Sequence, residues 1–196
     1  MFHNMVPTGV AQDFYFNGVK YGSAVAFGSS SSYVTLPIAD SQNGTIFNIL
    51  SKRTLTAIVT DSLTQTLRLG KKYSLFYAKT SATDSVLRFF EDDVRTTDTT
   101  QAKVIFRNFG YNFSNRIWIR NEGNTLNDTL SNGESTGYIS LPINNTSKLY
   151  INNLDSLSKV DTLTASTFAK GKIYTILIYG SATGVLQKRV VTNNIQ

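Results

Sequence analysis

Arg116, Trp118 and Arg120 alternate with Ile117 and Ile119. An extended chain therefore puts the two arginines and the tryptophan on one face and the isoleucines on the other. A tryptophan flanked by two guanidiniums can stack a sugar or hold an anion, and cation–π contacts of this kind are worth ~0.5–2 kcal/mol. The same residues also suit an Arg–Trp ladder covering a sheet, or contacts across a domain boundary. Tyr15, Tyr33 and Tyr138 form a second aromatic set. Flat tyrosine faces serve sugar-binding modules, and they equally stabilise antiparallel sheets through cross-strand pairs. The run Glu91-Asp92-Asp93 offers oxygen ligands for calcium, but it lacks the spaced carboxylates and the glycine of a calcium loop. A solvated strand end fits it better. His3 is the single histidine and has no Asp or Glu close in sequence, so a surface position is expected. Cysteine is absent, which excludes disulfides, thiolate zinc sites and thiol catalysis. No residue set reads as catalytic, and no metal or cofactor site is expected.

A sequence bias adds a modification chemistry. Seven of the ten aspartates precede Ser or Thr, where a Ser/Thr content of 22% would give about two. Six of these continue with Leu, Val or Thr, which makes Ser62, Ser85, Thr99, Thr129, Ser156 and Thr162 the candidate acceptors. Asp-Ser/Thr-apolar resembles the O-glycosylation signal of exported proteins in one phylum of Gram-negative anaerobes. Turn chemistry offers the other explanation, because Asp and Ser/Thr both cap turns and start strands.

The elements that carry these residues follow from composition and periodicity. The 196 residues include 20 Ser, 24 Thr and 17 Asn, and only 16% are charged. A surface of hydroxyls and amides, rich in β-branched threonine, suits strands and turns. Net charge is +6, with 9 Lys/Arg against 8 acids in residues 1–98 and 10 against 5 in residues 99–196. The longest basic runs are pairs, Lys52-Arg53, Lys71-Lys72 and Lys188-Arg189, so a clustered nucleic-acid footprint is not expected. No apolar stretch approaches the ~18 residues of a spanning helix. The opening residues lack the basic start and apolar run of a signal peptide.

The chain repeats itself. Gly28 and Gly133, Tyr33 and Tyr138, and the triplets Leu36-Pro37-Ile38 and Leu141-Pro142-Ile143 all stand 105 apart. Gly70-Lys71-Lys72-Tyr73 matches Gly171-Lys172-Ile173-Tyr174 at an offset of 101, and Asn4 matches Asn108 at 104. Matched blocks in conserved order indicate two copies of a unit of roughly 95 residues, a period that suits tandem domains rather than a solenoid. The first copy is expected over 1–97 and the second over 102–196, joined by the apolar-free stretch 96–101. Within each copy the apolar pattern has period two, with turn signals at Asn17-Gly18, Asn43-Gly44 and Asn132-Gly133. This predicts strands near 12–17, 32–38, 45–50, 54–60, 72–79 and 85–90. In the second copy they fall near 103–108, 115–120, 136–143, 148–152, 160–168, 172–179 and 185–191. The expected fold is all-β: two tandem immunoglobulin-like or transthyretin-like antiparallel β-sandwich domains. Tyr73 and Tyr174 sit where such sandwiches hold a tyrosine corner. The first copy has almost nothing to match residues 102–107, so its first strand is expected to be cut short, with an open edge for a neighbouring segment.

The stretch Asn4-Met-Val-Pro7-Thr-Gly-Val-Ala-Gln-Asp13-Phe-Tyr-Phe-Asn-Gly18 resembles the opening of the domain of unknown function 4397. That family typically reads Asn-Ala-Ser-Pro-Asp-Ala-Pro, then Val-Asp-Val-Tyr-Val-Asp-Gly. Val25-Ala-Phe-Gly28, Tyr33-Val-Thr-Leu-Pro37 and the Gly70-Lys71-Lys72-Tyr73 block are similar to its later blocks, and the resemblance extends to the second copy. There the proline is missing, and Arg116 and Arg120 replace the acidic positions. The resemblance implies tandem β-sandwich modules of bacterial envelope proteins, often lipid-anchored, with no catalytic residues to carry over. It implies an exported chain whose leader and anchoring cysteine lie upstream of residue 1, at the cell surface or in the periplasm.

These readings converge on a non-enzymatic envelope module with a structural or interaction role. Its expected partner is an envelope protein or a glycan, with no nucleic acid and no transmembrane segment. The alternative is a carbohydrate-binding module or adhesin using the exposed aromatics of the second copy. An enzyme in a cleft between the copies would need convergent ionisable groups with perturbed pKa values.

Overall fold

Alternating apolar residues build fifteen strands among the described residues, and the one helical turn there is a 3-10 turn at Ala165–Thr167. The computed structural model describes residues 1–7, 9–95, 98–112, 116–122, 126–143, 148–154 and 156–193, with the backbone alone for 156–160 and 165. The chain divides into two units, Met1–Asp92 and Asp93–Gln196.

Unit 1 contains β1 (Phe2–Asn4), β2 (Gln12–Phe16), β3 (Val19–Val25), β4 (Thr45–Arg53), β5 (Val59–Leu67), β6 (Lys72–Lys79) and β7 (Ser85–Asp92). They form two sheets, β1-β6-β7 and β3-β2-β4-β5. Phe2, Leu75, Tyr77 and Leu87 from the first sheet meet Phe14, Phe16, Val25, Phe47, Ile49 and Leu67 from the second in one core. Unit 2 contains β8 (Gln101–Asn108), β9 (Arg116–Asn121), β10 (Asn127–Ser131), β11 (Ile139–Pro142), β12 (Lys148–Asn153), β13 (Ser156–Thr164), β14 (Ile173–Gly180) and β15 (Leu186–Thr192). Its sheets are β11-β8-β14-β15 and β10-β9-β12-β13, and Val104, Phe106, Ile176 and Ile178 pack on Ile117, Ile119, Leu149 and Ile151 between them. Each unit is a β-sandwich.

The repeat has a structural cause. Asn4 and Asn108 are fully buried at the ends of β1 and β8. Asn4 donates its amide to the Val25 carbonyl at 3.0 Å and accepts the Val6 N–H at 3.1 Å. Asn108 does the same with the Leu130 carbonyl (3.0 Å) and the Gly110 N–H (2.9 Å). The N–H groups of Gly28 and Gly133 donate to the backbone carbonyls of these asparagines. Both glycines have φ of 69° and 84°, a left-handed conformation that a side chain would strain. Both tyrosine corners are present. Tyr73 accepts the Arg68 N–H at 3.1 Å, and Tyr174 accepts the Ala169 N–H at 2.8 Å, each from a residue five positions upstream.

The structure corrects several expectations. The sheets are mixed: β1 runs parallel to β6, and β8 runs parallel to β14. The whole second sheet of each unit intervenes in the chain, giving the long crossover a parallel pair needs. β1, β3 and β10 lie outside the expected strands, and residues 54–58 form a loop rather than a strand. Residues 33–38 join no ladder among the described residues. β1 has 3 residues against the 8 of β8, so nothing flanks them as β8 flanks β11. Leu36 and Ile38 still pack on the core. His3 is not a surface residue. It is 1% exposed, stacks on Phe76 with ring centroids 4.2 Å apart, and places Nδ1 2.7 Å from Ser30 Oγ. Asp92 is not solvated either. It is buried and accepts hydrogen bonds from Ser74 Oγ (2.6 Å) and Tyr33 Oη (2.8 Å).

Candidate functional site

Strand alternation delivers Trp118 and Arg120 to the outer face of the β10-β9-β12-β13 sheet, because Ile117 and Ile119 are fully buried in the core beneath. Arg116 projects from the same face and is exposed at the start of β9. Pairing completes the site. Tyr150 of β12 lies opposite Arg120, and Asn152 lies opposite Trp118. On the other side Asn127 faces Arg120 and Thr129 faces Trp118. The Arg120 guanidinium carbon sits 4.5 Å from the Tyr150 ring centroid and 5.1 Å from that of Trp118. The indole N–H donates to Asn127 Oδ1 at 2.6 Å. The result is a row of two aromatic rings bridged by one cation, fixed in register by the ladder.

Two polar atoms on this face are buried without a protein partner, Arg120 Nε and Asn152 Oδ1. One is a donor and the other an acceptor, and buried polar groups of this kind ordinarily find a partner in protein or water. The sequence singled out Arg116, Trp118 and Arg120 but missed Tyr150, Asn152 and Asn127. Lys148-Leu-Tyr150-Ile-Asn152 alternates as β9 does, so Tyr150 and Asn152 were legible as outward residues. Which strand they paired with was not.

Each tyrosine of the second set has a local partner. Tyr15, Tyr33 and Tyr138 are each half-buried, and each carries a lysine over its ring: Lys52 at 4.5 Å, Lys72 at 5.2 Å and Lys103 at 4.6 Å. Tyr33 spends its hydroxyl on Asp92. The carboxylates Glu91 and Asp93 pair with cations, Glu91 with Lys71 at 2.5 Å and Asp93 with Lys103 at 2.8 Å and Arg95 at 3.1 Å. The Lys103 ammonium, with Arg95 behind it, outweighs partial burial and holds the Asp93 carboxyl down at about 2. Among the described residues no group of three or more His, Asp or Glu is placed to hold a metal ion.

The Asp-Ser/Thr positions sit variously. Ser62, Thr99, Thr129 and Thr162 are exposed, Ser85 is half-buried at the start of β7, and the Ser156 side chain lies outside the described residues. Asp84, Asp128 and Asp161 each accept the N–H of the following residue at 2.8–2.9 Å. That local side-chain to backbone bonding, at a turn for Asp84 and within strands for Asp128 and Asp161, competes with a glycan signal as the source of the bias.

Comparison with known proteins finds a family and a structural likeness. No characterised protein matches the sequence. Among solved structures, the crystal structure of CBMbc (family CBM26) from Eubacterium rectale Amy13K in complex with maltoheptaose aligns over 100% of this chain and 98% of its own. The identity is 8% and the TM-score 0.32, so the likeness carries no argument about ligand or mechanism. The profile of the domain of unknown function DUF4397 matches residues 1–115. Because that match takes in more than half of the sequence, the chain belongs to the DUF4397 family.

Proposed function

We propose that this chain is a non-enzymatic interaction module of the cell envelope and that it meets its partner through the outer face of β10-β9-β12-β13. The observation that carries this reading is the Trp118–Arg120–Tyr150 row with Asn152 beside it. Rings held by a bridging guanidinium are rigid, so little side-chain entropy is lost when a partner packs on them. Aromatic and arginine side chains are also the residues that dominate binding energy at protein interfaces. Export and attachment through a lipid carried upstream of residue 1 belong to the same proposal, and the family resemblance supports them.

A second reading makes the partner a glycan. The face favours it in one respect: amides and hydroxyls of Asn127, Asn152, Thr129 and Thr162 flank the rings, and the last two lie on the two edge strands of the same sheet, beside β9 and β12. A glycan array with wild type and Trp118→Ala separates the two. Saccharide binding that the variant loses makes the partner a glycan. Silence across the array, with the fold intact, makes it a protein. Turnover of any arrayed glycan overturns the non-enzymatic reading.

A further inference from the structure

Unit 1 exposes apolar side chains where the composition leaves every opportunity to avoid them. Leu55 is 87% exposed, Ile58 54%, Val59 51% and Val10 45%. Three of these lie in or beside the β4–β5 loop, residues 54–58. Val10 precedes Ala11, the residue to which the loop is tied.

The loop is held, not slack. The Thr54 N–H donates to the Ala11 carbonyl at 3.0 Å, and the Thr54 hydroxyl lies 2.9 Å from both that carbonyl and Asp13 Oδ1. Across its neck the Arg53 N–H donates to the Ile58 carbonyl at 2.9 Å, and the Ala57 N–H donates to the Arg53 carbonyl at 2.8 Å. Ala57 has φ of 54°, a conformation that suits Gly or Asn better. A turn anchored at both ends thus carries Leu, Ile and Val outward at positions where a solvated loop would carry polar residues.

Two cations, Lys52 and Arg53, lead into the loop, and the first acid after it, Asp61, is engaged by the Leu87 N–H. The carboxylate at the loop's base, Asp13, has a side chain 5% exposed and is occupied by Lys20 at 3.0 Å as well as by Thr54. Apolar tips with flanking cations are the composition of a segment that lies in a lipid interface. The tips enter the acyl boundary, and the ammonium and guanidinium groups remain among the phosphates.

We propose that the 54–58 loop of unit 1 is a membrane-contacting loop that inserts Leu55 and Ile58 into the surface of an anionic bilayer, with Lys52 and Arg53 at the headgroup level. One such loop gives weak, reversible attachment. It orients a chain already held near a membrane rather than anchoring it unaided. The proposal concerns unit 1 and stands independently of the partner face on unit 2.

Co-sedimentation with vesicles tests it. Wild type is expected to bind phosphatidylcholine vesicles containing phosphatidylglycerol, less with rising salt, and to bind pure phosphatidylcholine several-fold more weakly. Leu55→Glu/Ile58→Glu is expected to lose binding to both, and Lys52→Gln/Arg53→Gln to lose the preference for phosphatidylglycerol. All four side chains are outside the core, so far-UV circular dichroism should stay at wild-type values, and the urea midpoint should fall only slightly where Lys52→Gln removes the contact with Tyr15. As an independent readout, Leu55→Trp should give a blue-shifted emission on vesicles, where wild type, whose one tryptophan is Trp118, should not. No binding to the anionic vesicles overturns the proposal. So does binding that the Leu55/Ile58 variant retains, or an unshifted Leu55→Trp emission on bound vesicles.

Discussion

The two units share a plan and differ in what they show to the outside. Unit 1 closes β4 to β5 with the five-residue loop 54–58. Unit 1 offers exposed Leu55, Ile58 and Val59 at that end. Unit 2 offers a flat sheet face with Trp118, Arg120 and Tyr150. On the corresponding strand of unit 1 the central outward residue is Tyr15, which lies opposite Leu50 and beneath Lys52. Duplication kept the positions that hold the sandwich and released those that do not. Asn4 and Asn108 make the same bonds, while buried His3 and buried Arg107, which both approach a serine (Ser30 and Ser135), differ in charge and size.

The shared plan breaks first in the core. Phe14 and Ile119 are each fully buried in their unit. Phe14→Ala should cost about 3–5 kcal/mol and Ile119→Ala about 2–5 kcal/mol, from lost transfer energy and the cavity left behind, read as a fall in the urea midpoint. Next come the clamps. Asn4→Ala and Asn108→Ala each leave a buried carbonyl and a buried N–H without their bonds, and should cost about 2–3 kcal/mol each. Near-equal losses would confirm that the asparagine is the common structural requirement. A loss confined to one unit would show that the match is inherited but no longer used. Removal of the tyrosine-corner hydroxyl is smaller still. Tyr73→Phe and Tyr174→Phe should each cost about 1 kcal/mol. Tyr174, 6% exposed and in edge contact with Phe168, should lose more than the less buried Tyr73.

Period-two alternation made the sandwich legible, because burying Val104, Phe106, Ile117 and Ile119 requires their neighbours to point away. It also placed Trp118 and Arg120 on one face. What alternation cannot encode is which strands become neighbours. The parallel β8–β14 pair joins residues far apart in the chain, and Tyr150 reaches Arg120 through a pairing with no local signal. Short strands with weak patterns escaped for a related reason. In β3, Val19-Lys-Tyr-Gly-Ser-Ala-Val25, only Gly22 and Val25 are buried, so no apolar stripe announces it. His3 was misplaced because its neighbours in sequence are uninformative. Phe76 and Ser30, which surround it, are distant along the chain.

The smallest expected difference is electrostatic and lies at the start of unit 2. Asp93 bonds Lys103 and Arg95, and its carboxyl titrates at about 2 in the folded chain against an ordinary 3.8. The folded state therefore holds the charged form where the unfolded chain has begun to take up protons. Stability from this group is complete above the unfolded value and drains away as pH falls from about 4 towards 2. Its side chain is 39% exposed, so salt screens the pair and the effect on the whole unit is small. Asp13 in unit 1 differs in balance: burial, which works against its charge, is the largest influence on it. The Ala24 N–H, Lys20 and Thr54 nevertheless hold it below the ordinary carboxylate range. Urea midpoints between pH 5 and pH 2 should fall less for Asp93→Asn than for wild type, and added salt should narrow that gap. If the two acid limbs coincide at low salt, the Asp93–Lys103 pair is a surface contact without linkage to folding, and the contrast with the buried Asp13 becomes sharper.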